Sequence, residues 1–171
     1  MALSFKVIII GQGGAGKTAL CIRATQNVFY FNYKLTIGTG FFTYVLKSLE
    51  KPVYLQIWDF AGQDQFHQVL DSFTAGTNAT LLVFDLSDLE SVISLERIWL
   101  PFIVKNLPKK PVFLIGTKMD IDEREVTDSL IEDLKKRVPN LVSYISTSSK
   151  TGENVTKLFQ QVGKHLANSS S

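Results

Sequence analysis

The stretch Gly11-Gln12-Gly13-Gly14-Ala15-Gly16-Lys17-Thr18 sets glycines at 11, 13, 14 and 16 directly ahead of one ammonium and one hydroxyl. It fits the spacing G-x-x-x-x-G-K-[ST], follows the apolar run Val7 to Ile10, and opens a segment of helical spacing. Bare backbone lets successive N–H groups turn inward, and a helix N-terminus adds partial positive charge. Gly13, Gly14, Ala15, Gly16, Lys17, Thr18 and Ala19 are therefore a candidate cradle for a polyphosphate. In such a cradle Lys17 reaches the β- and γ-phosphates and the Thr18 hydroxyl ligates Mg2+. The competing reading is a glycine-rich turn with a solvated lysine. From residue frequencies a chance match in a chain of this length arises about once in a hundred, and the strand and helix flanks make it rarer.

A second phosphate-side signal is Trp58-Asp59-Phe60-Ala61-Gly62-Gln63, at the end of a predicted strand. Asp59 is placed to hold magnesium through water, and the Gly62 amide to meet a γ-phosphate. Asp-x-x-Gly alone occurs in many turns; its order behind a phosphate loop gives it weight. A third signal, Gly116-Thr117-Lys118-Met119-Asp120, follows a buried strand and bears on the base. Guanine presents two adjacent donors, N1–H and N2–H2, and adenine has no such pair, so one ionised Asp120 accepting both discriminates between them. Lys118 can lay its stem along the ring, and Thr147-Ser148-Ser149-Lys150 can supply backbone donors to the guanine oxygen. Taken singly, Asp120 and Lys118 read more readily as ordinary loop charges.

These residues need a scaffold, and the pattern supplies one. Buried strands are predicted at Phe5 to Ile10, Ala79 to Asp85, Pro111 to Thr117 and Leu141 to Ser146, each nearly continuous in apolar character. Phe41 to Lys47 and Val53 to Trp58 are joined by a loop too short for a parallel crossover, so they form an antiparallel hairpin. Helices fit Lys17 to Asn27, Leu89 to Lys105 with a kink at Pro101, Thr127 to Val138 and Glu153 to Leu166, with Asp88, Thr127 and Gly152 as candidate starts. The alternation predicts an α/β domain: a six-stranded, mostly parallel sheet with one antiparallel hairpin strand and helices on both faces.

Bulk properties agree with one domain in 171 residues, 45% hydrophobic and 20% charged. A net charge of +2 does not argue for nucleic acid. Cys21 is the only cysteine, which excludes an intrachain disulfide and a cysteine metal site and favours a reducing compartment such as the cytoplasm. No apolar run reaches the roughly eighteen residues of a membrane span. Met1 to Ser4 shows neither an export signal nor a second-position glycine, and Asn168 to Ser171 has no cysteine for a prenyl group. The expectation is a chain with no visible lipid anchor, membrane-associated only through a removed tail or a partner. His67 and His165 lack ligand spacing.

With these motifs in this order, the chain resembles the Ras superfamily of small GTPases, and "LTIG" at 35–38, "WDFAGQD" at 58–64 and "SSKTGENV" at 148–155 are most similar to the Rab branch. The resemblance implies a G domain over residues 1–167 with a serine-rich tail at 168–171. It implies a switch that binds GTP or GDP with Mg2+ and slowly hydrolyses GTP to GDP and phosphate, in membrane-trafficking or signalling regulation. Phe29 would stack on the guanine face opposite Lys118. Thr36 would give Mg2+ a second hydroxyl beside Thr18, with Asp59 as the acidic member, and the γ-phosphate a backbone N–H. Gln63 would orient the attacking water, with Lys17 and Thr36 completing the catalytic set. The switches would span about Tyr30 to Gly40 and Phe60 to Thr74 and would be read by effectors, with an activating protein and an exchange factor as further partners of a monomeric chain. Phe41, Trp58 and Phe73 match a surface triad that the Rab branch keeps for effectors; plain core or hairpin aromatics are the equal alternative.

The chain also departs from the family. Thr117 stands where asparagine is usual, as in the Rho branch, which keeps a hydroxyl but shortens the reach to the ring and the phosphate loop. There is no room between Asp120 and Ser148 for the extra helix of Rho proteins. Phe60 replaces a small or hydroxylated residue and would hold switch II on an apolar surface; Leu35 replaces a frequent proline. No arginine is identified as an internal finger: Arg23 and Arg97 fall on predicted helices, where a solvated face is the usual explanation, and Gly13 leaves space for a partner's side chain. Two rivals follow, a catalytically weak GTP-binding scaffold, supported by Thr117 and Phe60, and a P-loop kinase for a small metabolite, which the Asp120 loop opposes.

Overall fold

A computed structural model describes residues 2–47, 50–62 and 70–170. Strand β1 (Leu3–Gly11) lies in the middle of the sheet, and Val7, Ile8, Ile9 and Ile10 are buried. A strand covered on both faces has no solvent side to mark with polar residues, which is why this run does not alternate. β1 pairs in parallel with β3 (Val53–Phe60) on one side and β4 (Thr77–Asp85) on the other. β2 (Thr39–Leu46) runs antiparallel to β3, with Phe41 opposite Trp58 and Thr39 opposite Phe60. β5 (Val112–Thr117) and β6 (Leu141–Ser146) extend the parallel part, giving the order β2-β3-β1-β4-β5-β6 in a 6-stranded sheet. The α/β fold and the hairpin are those the sequence pattern predicts.

Helices α1 (Lys17–Gln26), α2 (Leu89–Ser94), α3 (Leu100–Asn106), α4 (Asp128–Arg137) and α5 (Val155–Ser169) cover the two faces. Alternate β1 side chains divide between two cores. Val7 and Ile9 pack with Leu20 of α1 and Leu158, Phe159 and Val162 of α5, whereas Ile8 and Ile10 pack with Val92, Trp99, Ile103 and Leu134. Between α2 and α3 the chain widens into a π-helical turn, Leu95–Trp99, and Pro101 sits just after it. Proline has no N–H to donate to the preceding turn, so the expected kink takes the form of that widened turn. The Asp88 side chain accepts from the Glu90 N–H (3.0 Å) and Thr127 from the Leu130 N–H (3.3 Å), as helix starts should. Gly152 does not start α5: the cap position is Asn154, in a left-handed conformation with φ 60°, and its side-chain Nδ2 donates to Ser146 O (2.8 Å).

The sheet order reverses at β1, whose carboxyl end sits between those of β3 and β4. In open parallel sheets the crevice at such a point is where ligands bind, and the glycine-rich loop leaves β1 there.

Candidate functional site

The chain turns from β1 into α1 through Gly14 at φ +81° and Gly16 at φ +87°. Gly16 is the residue before α1, and a side chain there would be strained by the backbone conformation, although its Cβ would make only ordinary contact with Thr117, 3.6 Å from the hydroxyl oxygen. Lys17, 5% exposed, donates its ammonium to Gly11 O (2.9 Å) and Gln12 O (2.8 Å). Burial pulls its pKa down to about 8, against the opposing pull of the Asp59 charge. The loop therefore holds a cation that an incoming polyphosphate would stabilise.

Beside it three oxygen side chains converge. The Thr18 and Thr36 hydroxyl oxygens are 2.6 Å apart, and the Thr18 hydroxyl donates to Asp59 Oδ2. Asp59 is fully buried, and its Oδ1 has no hydrogen-bond partner among the described residues. Burial pushes its carboxyl above the ordinary range, although the Thr18 hydrogen bond and the Lys17 charge pull it back. Two hydroxyls and a carboxylate whose second oxygen is buried and orphaned are a hard donor set of the kind that fits Mg2+ and its waters. Gly62, at the end of this segment, lies against the phosphate loop: a Cβ there would stand 2.2 Å from Gly13 N and 2.4 Å from Gly11 O.

The base end is built on the carboxyl end of β5. The Thr117 hydroxyl lies 2.6 Å from Ala15 O and 3.1 Å from Phe84 O, so it reaches the phosphate loop despite its shorter side chain, contrary to the loss of reach expected from the sequence. Lys118 donates to Gly14 O (3.1 Å) and pairs with Asp85 Oδ2 (2.5 Å), whose other oxygen accepts from Ser87 N (2.8 Å) and Oγ (2.6 Å). The Asp120 carboxylate accepts from Ser148 Oγ (2.6 Å). Asp85 has no place in the sequence reading, although its position at the end of a predicted strand beside β5 is the signal that marks it. Arg23 is also reassigned: it does not lie on a solvated face but donates to Ser149 O (2.8 Å) and Lys150 O (2.6 Å). Arg97 is exposed.

A cavity of about 450 Å³ runs between the two ends, within the range of small-ligand sites. From the phosphate loop Gly13, Gly14, Gly16, Lys17, Thr18 and Ala19 line it; from the flanking segments, Phe29, Thr36 and Gly62; from the base loops, Thr117, Lys118, Asp120, Ser149 and Lys150. Ala15, Asp59 and Ser148 act from behind that wall through the contacts above. Phe31 and Tyr33 join the lining, with their rings 5.4 and 5.6 Å from Phe29. Gln63 and His67 lie outside the described residues. His165 packs edge-on to Phe113 at 5.6 Å.

Phe41, Trp58 and Phe73 form one continuous cluster, with centroids 5.0 Å apart for the first pair and 5.8 Å for the second. Phe41 is 63% exposed, while Phe60 is buried against Trp58 and Phe73. The Lys6 ammonium sits 3.8 Å from the Trp58 ring centroid and donates to Ala75 O (2.9 Å). Among the described residues no helix is long and apolar enough to cross a membrane.

Comparison with known proteins gives a consistent picture. The Ras family model matches residues 6–168. The chain is 31% identical over 163 residues to the Ras-related protein Rab-7b of Bos taurus, covering 94% of this chain and 80% of that one. It is 36% identical over 166 residues to the Ras-related protein RABG3b of Arabidopsis thaliana, covering 93% and 81%. It is 35% identical over 164 residues to the Ras-related protein Rab-30 of Homo sapiens, covering 95% and 79%. These relatives agree with the likeness to the Rab branch read from the motifs.

Proposed function

This chain belongs to the Ras family, and we propose that it is a guanine-nucleotide switch that binds GTP and GDP with Mg2+, hydrolyses GTP slowly, and acts in trafficking or signalling. One observation carries the reading: a single cavity has the Lys17 and Thr18 loop at one end and the Lys118 and Asp120 loop at the other. A polyphosphate and a guanine belonging to one molecule are what those two ends suit.

In this reading Asp120, held by Ser148 Oγ, accepts from the guanine N1–H and N2–H2. Lys118 is pinned between Gly14 O and Asp85, so its stem presents one flat apolar edge to the ring, with Phe29 on the other face. Lys17 exchanges its two loop carbonyls for phosphate oxygens. Thr18, Thr36 and Asp59 are the residues that would hold Mg2+, which neutralises charge on the β- and γ-phosphate oxygens when bound. Water attacks the γ-phosphorus, the bond to the bridging oxygen breaks, and GDP leaves with the electron pair. Gln63 is assigned the orientation of that water on the family resemblance. None of Arg23, Arg97, Arg124 and Arg137 lines the cavity, so intrinsic turnover should be slow. A partner's arginine would raise it by about 10³ to 10⁵.

Switching follows from contacts that only the triphosphate makes. Thr36 and Gly62 flank the phosphate end, and a γ-phosphate bonded to both would hold their segments in one arrangement. The Phe41, Trp58 and Phe73 cluster adjoins those segments and is the surface we assign to effectors. The buried ring of Phe60 and the bonded hydroxyl of Thr117 fit a working site, so neither departure favours an inert scaffold.

The test is to denature the purified protein, identify the released nucleotide by chromatography, and follow one turnover of GTP with and without Mg2+. Guanine nucleotide in the released fraction and Mg2+-dependent phosphate production support the assignment. Equal retention of ATP and GTP would end it, and GTP binding with no phosphate release under any partner would reduce the protein to a scaffold.

A further inference from the structure

We propose that Arg23 is a positioning residue for base recognition: from α1 it turns the 148–151 loop so that its amides and the Asp120 carboxylate face the guanine. The inference rests on the nucleotide assignment above and adds to it a residue that orients the groups reading the base.

Arg23 donates Nε to Ser149 O (2.8 Å), one terminal nitrogen to Lys150 O (2.6 Å) and the other to Asn27 O (3.2 Å). Among the described residues no carboxylate pairs with it. A permanently charged, planar fork is thus committed to three backbone carbonyls and, at 3.4 Å, the Asn27 side-chain oxygen, all of them neutral. Arg23 does not line the cavity, while Ser149 and Lys150 do, so the guanidinium stands behind the loop.

Peptide planarity turns this into a statement about the front of the loop. In a trans peptide the C=O and the following N–H point in opposite directions. Fixing Ser149 O on Arg23 directs the Lys150 N–H to the other side, toward the cavity, where it meets the guanine 6-oxo group. Fixing Lys150 O likewise directs the Thr151 N–H, which donates to Ser148 Oγ (3.0 Å), and that hydroxyl donates to Asp120 (2.6 Å). One side chain therefore orients both the donor for the guanine oxygen and the acceptor for its N–H groups. The third bond, to Asn27 at the end of α1, ties this assembly to the segment that carries Phe29.

The experiment uses the full chain with Arg23→Gln and Arg23→Lys, and measures release of GDP, inosine diphosphate and 2-aminopurine riboside diphosphate. The first two keep the 6-oxo group and the third lacks it. Both variants should release GDP and inosine diphosphate at least roughly tenfold faster, while the 2-aminopurine analogue, which keeps only its amino contact to Asp120, should accelerate by a clearly smaller factor. A lysine cannot span two carbonyls in one plane, so Arg23→Lys should not restore the wild-type rate; it also keeps the charge and the aliphatic stem should Arg23→Gln fail to fold. If all three nucleotides accelerate by the same factor, or if lysine restores GDP release, Arg23 merely supports the fold and the inference is overturned. A wild-type chain that holds no guanine nucleotide overturns the functional assignment and this inference together.

Discussion

The Thr18 hydroxyl donates to the Asp59 carboxylate across 41 residues of sequence, and the Thr36 oxygen lies 2.6 Å from the same hydroxyl. Three oxygen-bearing side chains drawn from α1, β3 and the segment ahead of β2 thus lean on one another with Asp59 Oδ1 left over. Desolvation raises the Asp59 pKa, so an ionised carboxylate at this depth gains from a neighbouring cation. Chelating Mg2+ should therefore speed GDP release from the wild-type protein by at least about tenfold. Asp59→Asn should release GDP quickly with or without the metal, because the amide carries no charge for it. Stopped-flow release of a fluorescent GDP in EDTA and in Mg2+ decides the matter. Equal rates in the wild type would remove the metal from Thr18, Thr36 and Asp59.

Lys17 makes binding depend on pH. Its pKa in the empty loop is about 8, below the ordinary 10.5, with burial as the main cause. Bound phosphates favour the charged form and raise that value. Below about pH 8 the lysine is charged before and after binding and no proton moves. Above it the empty loop has lost the proton, so binding must take one up and affinity falls by up to about tenfold per pH unit. For the empty protein the sign is the reverse: the unfolded chain holds the proton more tightly, so folding stability rises between about pH 8 and 10.5. Calorimetry at pH 8.5 in buffers of different ionisation enthalpy should show uptake of most of one proton, and Lys17→Gln should show none. A flat affinity from pH 7 to 9.5 would mean that this ammonium does not titrate on binding.

Where the information sits in the sequence explains what could be read from it. The phosphate loop is contiguous, with its glycines and Lys17 within a few residues of each other, and the buried strands carry their signal in unbroken apolar runs such as Val7 to Ile10. Both were legible for that reason. Arg23 was not, since helical periodicity only says that it is half-turned from the core; its partners Ser149 and Lys150 lie 126 and 127 residues further on. Asp85 meets Lys118 only because β4 and β5 end side by side. The start of α5 at Asn154 instead of Gly152 depends on a left-handed residue that composition does not single out. The reach of Thr117 to Ala15 depends on how near the β5 end lies to the loop, a distance set by the whole sheet.

That reach gives a stability prediction. The Thr117 hydroxyl is buried, and Ala15 O in the phosphate loop lies 2.6 Å from it. Thr117→Val keeps the shape and removes the donor, leaving a buried carbonyl without it at a cost of about 1–3 kcal/mol. Thermal unfolding of the nucleotide-free protein should move down by several degrees, and Thr117→Ser should recover most of the loss. If valine is neutral, the hydroxyl contributes nothing to holding the loop against β5.

Gly62 provides the sharpest separation between holding a nucleotide and sensing its third phosphate. A Cβ at this position would meet Gly13 N at 2.2 Å, Gln12 C at 2.4 Å and Gly11 O at 2.4 Å. These are backbone atoms of the glycine-rich loop, with no flexible side chain to give way, so Gly62→Ala must push its own segment off the loop. The base contacts at Lys118 and Asp120 lie at the other end of the cavity and are untouched by that displacement. GDP affinity should therefore stay within several-fold of the wild type. The Gly62 amide would no longer come within hydrogen-bond reach of a γ-phosphate, so the contact that distinguishes GTP from GDP on this side is lost. Single-turnover hydrolysis should fall by at least about tenfold, and the fluorescence of Trp58, which neighbours Phe60 in this segment, should no longer differ between GDP and a non-hydrolysable GTP analogue. A Gly62→Ala protein that still hydrolyses GTP at the wild-type rate and keeps that fluorescence difference would show that the γ-phosphate is sensed elsewhere.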